Sequence, residues 1–271
     1  MLTSLILQLQ ATETVTLPSN LGRASQALLL RLVAEYDAAL AEALHATNQT
    51  KPFTASNLMM GRRKGGDLQV AAAETGWLRF TGLTAEVSQI LQAICAEPPE
   101  TVELDGFRVR VTGATLDPAG HRWAGQGSYQ DLAVPYLLGI EERLPNKISL
   151  EFVSPTTFRR EELFIPLPQP NFVFGSLLDR WQAFAPIALH PEVRRYAEAM
   201  VSLCHFEARS RLVPYKRGGQ MIGFTGQATF MAQNRDRYWL SVLHLLTDFA
   251  FFSGVGYQTT SGLGQARRLG S

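Results

Sequence analysis

The first segment of the chain alternates apolar and polar side chains. Leu5, Leu7 and Leu9 alternate with Ile6, Gln8 and Gln10, and this period of two predicts a half-buried β-strand. Over about residues 25–46 the apolar residues instead recur every three or four positions, which predicts one amphipathic helix. The chain therefore opens with a strand followed by a helix.

The same two periodicities continue along the rest of the chain. The first half continues with strands around 54–60 and 77–81, a helix over 85–95 and strands within 101–116. The second half begins with a strand at 148–152 and continues with helices over 173–184 and 192–201, strands over 203–213 and 221–232, a helix over 236–252 and a last short strand.

Each half of the chain follows the order βαββαβ. This order predicts an α+β fold of tandem ferredoxin-like domains, the topology that RNA-recognition motifs also use. We expect an N-terminal domain over residues 1–135 and a C-terminal domain over residues 146–271. The stretch 130–146, which contains Pro135 and Pro145, is the expected linker.

Positive charge is concentrated at a few places in the sequence. The 271 residues are 46% hydrophobic, enough for a full core, and their formal net charge of +1 gives no overall basic field. Nucleic-acid binding would therefore depend on local clusters, in which the planar guanidinium of arginine suits phosphate. The clusters are Arg62–Arg63–Lys64, Arg159–Arg160, Arg209 with Arg211, Lys216 and Arg217, and Arg267–Arg268.

Cysteine usage and hydropathy exclude two classes of protein. Cys95 and Cys204 have no CxxC spacing, which argues against a disulfide framework or a thiolate zinc site. The N-terminus has no basic leader, and no apolar run approaches the roughly 18 residues that a membrane helix needs. We therefore expect a soluble, cytoplasmic protein.

A glycine-rich stretch near the C-terminus, "GVGYQTTSGLGQARR", is the first candidate binding site. A dinucleotide fingerprint would need glycine at position 259, which is Thr259, and no Gly-Lys-Ser/Thr sequence follows for a P-loop. One interpretation is a loop whose exposed amides and hydroxyls hold a phosphate backbone, and the other is a purely structural turn. The residues of the RNA-binding interpretation are Gly254, Gly256, Thr260, Ser261, Gly262 and Gly264, followed by Arg267 and Arg268.

Three segments together resemble a known family. "GVGYQTTSGLG", "LHATNQTKPFTASNL" at 44–58 and "ISLEFVSPTTF" at 148–158 are similar to the CRISPR-associated repeat-cleaving endoribonuclease of the sixth family, within the repeat-associated mysterious protein superfamily. The resemblance implies tandem ferredoxin-like domains and metal-independent cutting of the precursor CRISPR transcript inside each repeat. CRISPR repeat RNA is the implied partner, and other subunits of a CRISPR effector complex are further expected partners.

Metal-free RNA cleavage needs groups that transfer protons and a cation that offsets charge on the phosphorane. His45 suits proton transfer because the ordinary pKa of histidine is about 6.5. Lys51 follows six positions later and precedes Pro52, which places it in an extended segment across a short loop from His45. A histidine and a lysine that flank one loop can converge on one phosphate.

The resemblance adds a third candidate catalytic residue, because several members of the family use a histidine, a tyrosine and a lysine. These map to His45, Tyr36 and Lys51. On one continuous helix, the nine steps from Tyr36 to His45 rotate the two side chains about half a turn apart, so they meet only if the helix unwinds. Tyr36 also lies on the apolar stripe, where a packed core tyrosine is the alternative.

The remaining histidines are weaker candidates. His205 on a predicted strand and His244 on the last predicted helix are interpreted as packed residues, and His121 and His190 lie at predicted turns or helix starts. None has a partner at metal-ligand spacing, so we expect neither a metal nor another cofactor. A phosphoesterase with two His-x-Thr/Ser motifs is disfavoured, because only His45 begins such a motif.

The sequence thus favours an endoribonuclease in which His45 transfers a proton and Lys51 stabilises charge. The "GRRKGG" turn that carries Arg62, Arg63 and Lys64, together with Arg159, Arg160 and the final arginine pair, would hold the RNA backbone. One alternative is a non-catalytic RNA-binding subunit of a CRISPR effector complex. A second is a small-molecule nucleotide-binding or phosphotransfer enzyme, which only the glycine-rich stretch supports.

Overall fold

The computed structural model describes residues 1–47, 49–64, 66–140, 143–215 and 219–270. The chain divides into two units. Unit 1 comprises residues 1–126 and 260–262, and unit 2 comprises residues 127–259 and 263–271.

Unit 1 contains the first nine strands and three helices in the described part of the chain. They are β1 (Leu2–Ala11), β2 (Val15–Pro18), α1 (Gly22–Tyr36), α2 (Ala38–Ala46), β3 (Phe53–Ala55), β4 (Arg62–Lys64), β5 (Asp67–Val70), β6 (Thr75–Gly82), α3 (Ala85–Ala96), β7 (Thr101–Leu104), β8 (Phe107–Thr115) and β9 (Gly125–Gly127), the last of which ends at the boundary with unit 2.

The main sheet of unit 1 has the strand order β3-β6-β1-β8-β7 with antiparallel neighbours. The predicted βαββαβ order is present in unit 1. It is formed by β1, α1 with α2, β3, β6, α3 and β8. A separate three-stranded sheet has the order β2-β5-β4 and carries Arg62, Arg63 and Lys64 on β4. The prediction of a ferredoxin-like N-terminal unit is confirmed, and the small sheet is an addition to it.

Strand β1 is buried on both faces, whereas its sequence pattern predicts burial on one. Leu5 and Leu7 face the hydrophobic core, as predicted. On the opposite face Ser4 accepts a hydrogen bond from Arg79 Nε over 2.8 Å, and Arg79 also lies over the ring of Trp123 at 5.0 Å. Only 2% of Arg79 is exposed, and this burial lowers the pKa of its guanidinium to about 9. The half-buried prediction is wrong because Arg79 and Trp123 cover the second face of β1.

Two helices replace the single helix predicted over 25–46. The backbone breaks at Asp37, whose φ of −151° and ψ of 95° are extended. The Asp37 side chain accepts a hydrogen bond from the Leu40 amide over 2.9 Å, and this N-cap begins α2. The apolar periodicity continues across the break because both helices bury one face, so the pattern did not reveal it.

Unit 2 repeats the topology with longer strands. Its elements are α4 (Tyr129–Leu137), β10 (Lys147–Thr156), β11 (Phe158–Arg160), β12 (Leu163–Ile165), α5 (Pro170–Phe184), α6 (Val193–Met200), β13 (Val201–Pro214), β14 (Gln220–Ala232), α7 (Arg237–Ser253) and β15 (Ala266–Arg268). The sheet order is β13-β14-β10-β15, so β10, α5 with α6, β13, β14, α7 and β15 form the second predicted βαββαβ series. Strands β11 and β12 form a separate two-stranded ribbon.

The stretch predicted as the linker contains helix α4. Ser128 and Asp131 form a capping box at its N-terminus, which stabilises the helix against the proline inside it. Tyr129 is buried, and its ring contacts those of Trp181 and Phe249 at 5.2 and 5.8 Å. The division between the units therefore falls before α4, nearer the N-terminus than the predicted linker. In the described ranges no helix has the length and apolar character needed to cross a membrane.

Residues 254–264, which we call the glycine loop, connect α7 to the last strand. All four of its glycines have positive φ, with values of 65° to 89°. A Cβ atom built on Gly264 would lie 2.2 Å from the Val255 carbonyl oxygen, and one on Gly256 would lie 2.4 Å from the Thr157 carbonyl oxygen. Both the backbone conformation and the close approach therefore require glycine at these two positions.

We predict that Gly264→Ala destabilises the protein by about 2 kcal/mol, because alanine at positive φ is strained and its methyl group meets the Val255 carbonyl. Thermal unfolding should show a melting temperature lower by about 4–8 °C. Gly270→Ala is the matched control, because a Cβ there meets no atom within 4 Å. Equal melting temperatures for the two variants would contradict the packing argument.

Candidate active site and nucleic-acid interface

His45 is presented to solvent at the end of α2. Ala41 and Leu44 are buried and fix the orientation of the helix, which leaves the His45 side chain exposed one position after Leu44. His45 also lies in the last turn of α2. An exposed imidazole at this position can accept or donate a proton.

Lys51 lies beside the helical turn that carries His45. Its Nζ donates to the carbonyl oxygen of Leu44 and, over 3.3 Å, to that of His45. Partial burial lowers the pKa of the Lys51 ammonium from its ordinary value. The structure thus brings the Lys51 ammonium to the last turn of α2, as the prediction of convergence across the loop requires.

Tyr36 is the last residue of α1, and its side chain is 47% exposed. The alternative of a packed core tyrosine is therefore wrong: the buried face of α1 is formed by residues such as Leu29, Leu32 and Val33. The break at Asp37 places Tyr36 and His45 on different helices, so the half-turn phase difference of a continuous helix no longer applies. A catalytic role for Tyr36 stays a prediction.

Three of the other histidines have structural partners. His244 is 3% exposed, its Nε2 lies 2.8 Å from the Pro145 carbonyl oxygen, and its Nδ1 accepts from Arg268 over 2.9 Å. His121 and His190 accept backbone N–H groups at Nδ1 over 3.2 Å each. His205 lies on β13 as predicted but is exposed, so the interpretation of a packed residue is wrong there.

The four glycine amides of the glycine loop are occupied within the protein. Gly254 donates to the Ala250 carbonyl, Gly256 to the Ser176 hydroxyl, Gly262 to the Ala55 carbonyl and Gly264 to the Pro155 carbonyl, over 2.9 to 3.2 Å. The interpretation that these amides are exposed to a phosphate is therefore wrong. Thr260 is partly exposed, whereas the buried Ser261 donates to the side chain of Gln26 over 2.7 Å.

Arg180 on α5 holds the glycine loop from inside unit 2. Its Nη1 donates to the Ser253 carbonyl over 3.0 Å and to the Thr259 hydroxyl over 2.6 Å, and its Nη2 donates to the Gly256 carbonyl over 2.7 Å. Burial lowers the pKa of its guanidinium to about 10. The sequence analysis missed this residue, although an arginine within the apolar run of helix α5 is the signal that could have indicated it.

The predicted basic clusters differ in what they offer to a ligand. Arg62, Arg63 and Lys64 form the whole of β4 and are exposed, and Arg159 and Arg160 are exposed on β11. Arg209 and Arg211 are exposed on β13, whereas Lys216 and Arg217 lie outside the described residues.

The final arginine pair makes internal ion pairs. Arg267 contacts Glu151 over 2.8 Å, with about a quarter of each side chain exposed. Arg268 pairs with Asp248, which also accepts from Tyr136, and its Nη2 donates to the His244 carbonyl over 2.6 Å. These contacts favour a structural role for both arginines over the predicted contact with phosphate.

No group of three or more His, Cys, Asp or Glu side chains within the described ranges is arranged to hold a metal ion.

Comparison with known proteins gives one family over most of the chain. Residues 1–89 match the family model described as the CRISPR Cas6 N-terminal domain, and residues 150–266 match that of the CRISPR-associated endoribonuclease Cas6. A Cas6 of Mycobacterium tuberculosis (strain CDC 1551 / Oshkosh) is 29% identical over 163 residues, which are 60% of this chain and 50% of that protein. The chain thus spans about half the length of the curated relatives it matches.

Solved Cas6 structures resemble the chain over its full length. A Cas6 product complex superposes with a TM-score of 0.81 and 28% identity, covering 99% of this chain and 100% of that chain. Thermus thermophilus Cas6 superposes with a TM-score of 0.74 and 27% identity, covering 99% and 98%. With both Cas6 family models matched in order and the tandem ferredoxin-like fold in place, the chain belongs to the CRISPR-associated endoribonuclease Cas6 family.

Proposed function

We propose that this chain binds a CRISPR repeat RNA and cuts it once within the repeat to release guide RNAs. The observation that carries the proposal is the pairing of an exposed His45 with the Lys51 ammonium at the same turn of α2. Family membership supports it, as does the close superposition on a Cas6 product complex. The proposed substrate is a cellular transcript, and we propose that the chain acts in the cytoplasm.

The proposed reaction is an internal transesterification. The 2′-oxygen attacks the adjacent phosphorus, the bond from phosphorus to the 5′-oxygen breaks, and the products carry a 2′,3′-cyclic phosphate and a 5′-hydroxyl. One proton leaves the 2′-hydroxyl and one is added to the 5′-oxygen, and His45 transfers one of these two. The Lys51 ammonium offsets the extra negative charge of the phosphorane.

Tyr36 is the proposed third member of the site. The partly exposed Tyr36 comes from α1, whereas His45 comes from α2, so the two side chains can approach a substrate from separate helices. A phenol near the scissile phosphate can donate a hydrogen bond to it or take part in proton transfer. Tyr36, His45 and Lys51 together supply the groups for proton transfer and charge stabilisation. We propose that the reaction proceeds without a metal ion.

The proposed RNA-binding surface uses the exposed basic clusters. Arg62 and Lys64 lie on one face of β4 and Arg63 on the other, and all three are exposed on this edge strand of the small sheet, where they can contact phosphates. Arg159 and Arg160 provide a second basic patch in unit 2. The glycine loop contributes through its partly exposed residues, because its glycine amides already have partners.

We predict that His45→Ala lowers the single-turnover cleavage rate of a labelled repeat RNA by about 10²–10⁴-fold without weakening binding. His190→Ala, which removes another exposed histidine, is the control and should cut at the normal rate. The reaction should proceed in excess EDTA and stop when the nucleotide before the cut carries a 2′-deoxy sugar. Repeat binding without any cutting by the wild-type protein would instead favour the non-catalytic RNA-binding subunit.

We predict that Lys51→Met lowers the cleavage rate about 10²-fold while the concentration of half-maximal binding changes much less, because charge develops mainly in the transition state. Lys51→Arg keeps a cation and should recover part of the rate. Because Lys51 also holds the end of α2, circular dichroism and thermal unfolding accompany the assay. A folded Lys51→Met variant that cuts at the normal rate would remove Lys51 from the mechanism.

We predict that the double change of Arg62 and Arg63 to alanine weakens repeat binding and makes the slope of log K against log salt shallower by about 1.4–1.8, which corresponds to the loss of two phosphate contacts. The control changes Arg108 and Arg110, two exposed arginines of β8, and removes the same charge. Equal salt slopes for the two double variants would place Arg62 and Arg63 outside the interface.

A further inference from the structure

Four side chains of unit 2 form a surface cluster beside the glycine loop, which we call the Tyr257 cluster: Arg159, Phe164, Tyr215 and Tyr257. Arg159 on β11 and Phe164 on β12 are direct partners in the ribbon, so their side chains lie on the same face. The Phe164 ring contacts Tyr215 at 5.2 Å and Tyr257 at 6.0 Å between centroids. The Arg159 guanidinium lies 5.9 Å from the centre of the Tyr257 ring.

The glycine loop fixes the place of Tyr257 in this cluster. Gly256 before it and Gln258 after it both have positive φ, of 83° and 56°, so the backbone turns sharply at Tyr257. The Gly256 carbonyl is held by Arg180 over 2.7 Å, and the Tyr257 amide donates to the Thr157 carbonyl over 2.8 Å. Tyr257 and Gln258 are partly exposed, whereas the glycines on either side are buried. The buried glycines therefore present a tyrosine at the surface.

The cluster has a packed underside and a polar outer edge. Phe164, Tyr215 and Tyr257 pack on the buried residues Val213, Met221 and Leu263. The hydroxyl oxygens of Tyr215 and Tyr257 lie 3.2 Å apart. Burial opposes ionisation of Tyr257, but hydrogen bonds from Tyr215 and Arg159 outweigh it and lower the pKa of the Tyr257 hydroxyl.

Arg159 lies at the edge of the Tyr257 cluster, where two neighbouring residues hold its guanidinium. Its Nε donates to the Glu161 carbonyl over 2.9 Å, and its Nη2 contacts the Glu162 carboxylate over 3.1 Å. The Arg159 side chain remains 39% exposed, and Glu162 is almost fully exposed. A weak surface ion pair of this kind is easily exchanged for a phosphate.

We propose that the Tyr257 cluster binds one unpaired nucleotide of the RNA, with the base against the aromatic rings and the phosphate on Arg159. Aromatic rings stack on bases of any sequence, and arginine supplies both charge and a planar donor edge, which is the combination that single-stranded RNA needs. This inference rests on the proposed function, because it assigns part of the same RNA to this surface. Glu162 competes with the phosphate for Arg159.

The experiment measures equilibrium binding of a labelled repeat RNA that cannot be cut, because it carries a 2′-deoxy sugar at the cleavage site, to variants in the His45→Ala background. Tyr257→Leu and Arg159→Ala should each bind about tenfold more weakly, and Tyr257→Phe, which keeps the ring, should bind nearly as well as the parent. Tyr238→Leu, which removes an exposed tyrosine at the start of α7, is the control. Parent affinity in both Tyr257→Leu and Arg159→Ala would overturn the proposal.

Glu162→Gln tests the proposal through an increase in affinity for the repeat RNA. A misfolded variant would not show such an increase. It removes the competing carboxylate and should tighten binding about twofold or more. Glu161→Gln removes the same charge one residue away, where only the backbone carbonyl contacts Arg159, and it should have a smaller effect. Equal effects of the two changes would show a general charge effect and count against the site.

Repeat RNAs with a single abasic residue then identify the nucleotide. At one unpaired position, loss of the base should weaken binding by about as much as Tyr257→Leu, and combining the two should give no further loss. Additive losses at every position would contradict stacking on Tyr257. These affinities are measured without cleavage. If the Tyr257 cluster does not bind a nucleotide, the cleavage assay of the proposed function still stands. If the wild-type protein does not cut the repeat RNA, these affinities still show whether the Tyr257 cluster binds it.

Discussion

The hydrogen bonds of the part-buried Arg180 guanidinium are the interactions on which the C-terminal part of the structure depends. The guanidinium donates to two carbonyls and a hydroxyl around the glycine loop, and these acceptors offset the cost of burying its charge. The positive φ angles of the four glycines then let the chain leave α7 and enter β15, which pairs with β10 and completes the sheet of unit 2. The four glycines near the C-terminus are therefore required, in the first place, by the backbone geometry of the loop. Its part in RNA binding, as we propose it, comes through the tyrosine that it presents.

A second constraint, at Asp37, shapes the candidate active site. The extended backbone there ends α1 after Tyr36 and begins α2, so that His45 lies in the last turn of a short second helix. Lys51 then reaches back to the carbonyls at the end of that helix. Tyr36 and His45 are thus exposed at helix ends, where the backbone still fixes their position, and Lys51 contacts the end of the second helix. A single unbroken helix would have turned Tyr36 away from His45.

The sequence predicted the order of elements well because period-two and period-3.6 patterns persist wherever one face is buried. The sequence pattern did not predict the structure where both faces of a strand are buried or where a single side chain breaks a helix. Ser4 and Ile6 on β1 are buried because Arg79 and Trp123 cover the second face, and a strand pattern carries no sign of such a cover. The break at Asp37 lies within a continuing apolar pattern, where a single capping aspartate is a weak signal. Helix α4 was obscured by the prolines that suggested a linker.

The candidate site shows the same division. The proximity of Lys51 to the turn that carries His45 was predictable because a short loop limits how far apart their backbones can lie. Arg267 and Arg268 were assigned to phosphate from their charge, yet Glu151 and Asp248, distant in sequence, pair with them in the fold. Tyr257 stands inside the glycine-rich stretch, but its neighbours Phe164 and Tyr215 come from other segments, so only the fold brings the cluster together.

The central claim is that the 2′-hydroxyl of the RNA is the nucleophile, and the chemistry of the product ends tests it most directly. Mass spectrometry of both fragments of a cleaved repeat should find a 2′,3′-cyclic phosphate, or the monophosphate formed when it opens, on the upstream fragment and a 5′-hydroxyl on the downstream one. A 3′-hydroxyl paired with a 5′-phosphate would mean that water attacked the phosphorus. That result would contradict the mechanism and the roles given to His45 and Lys51.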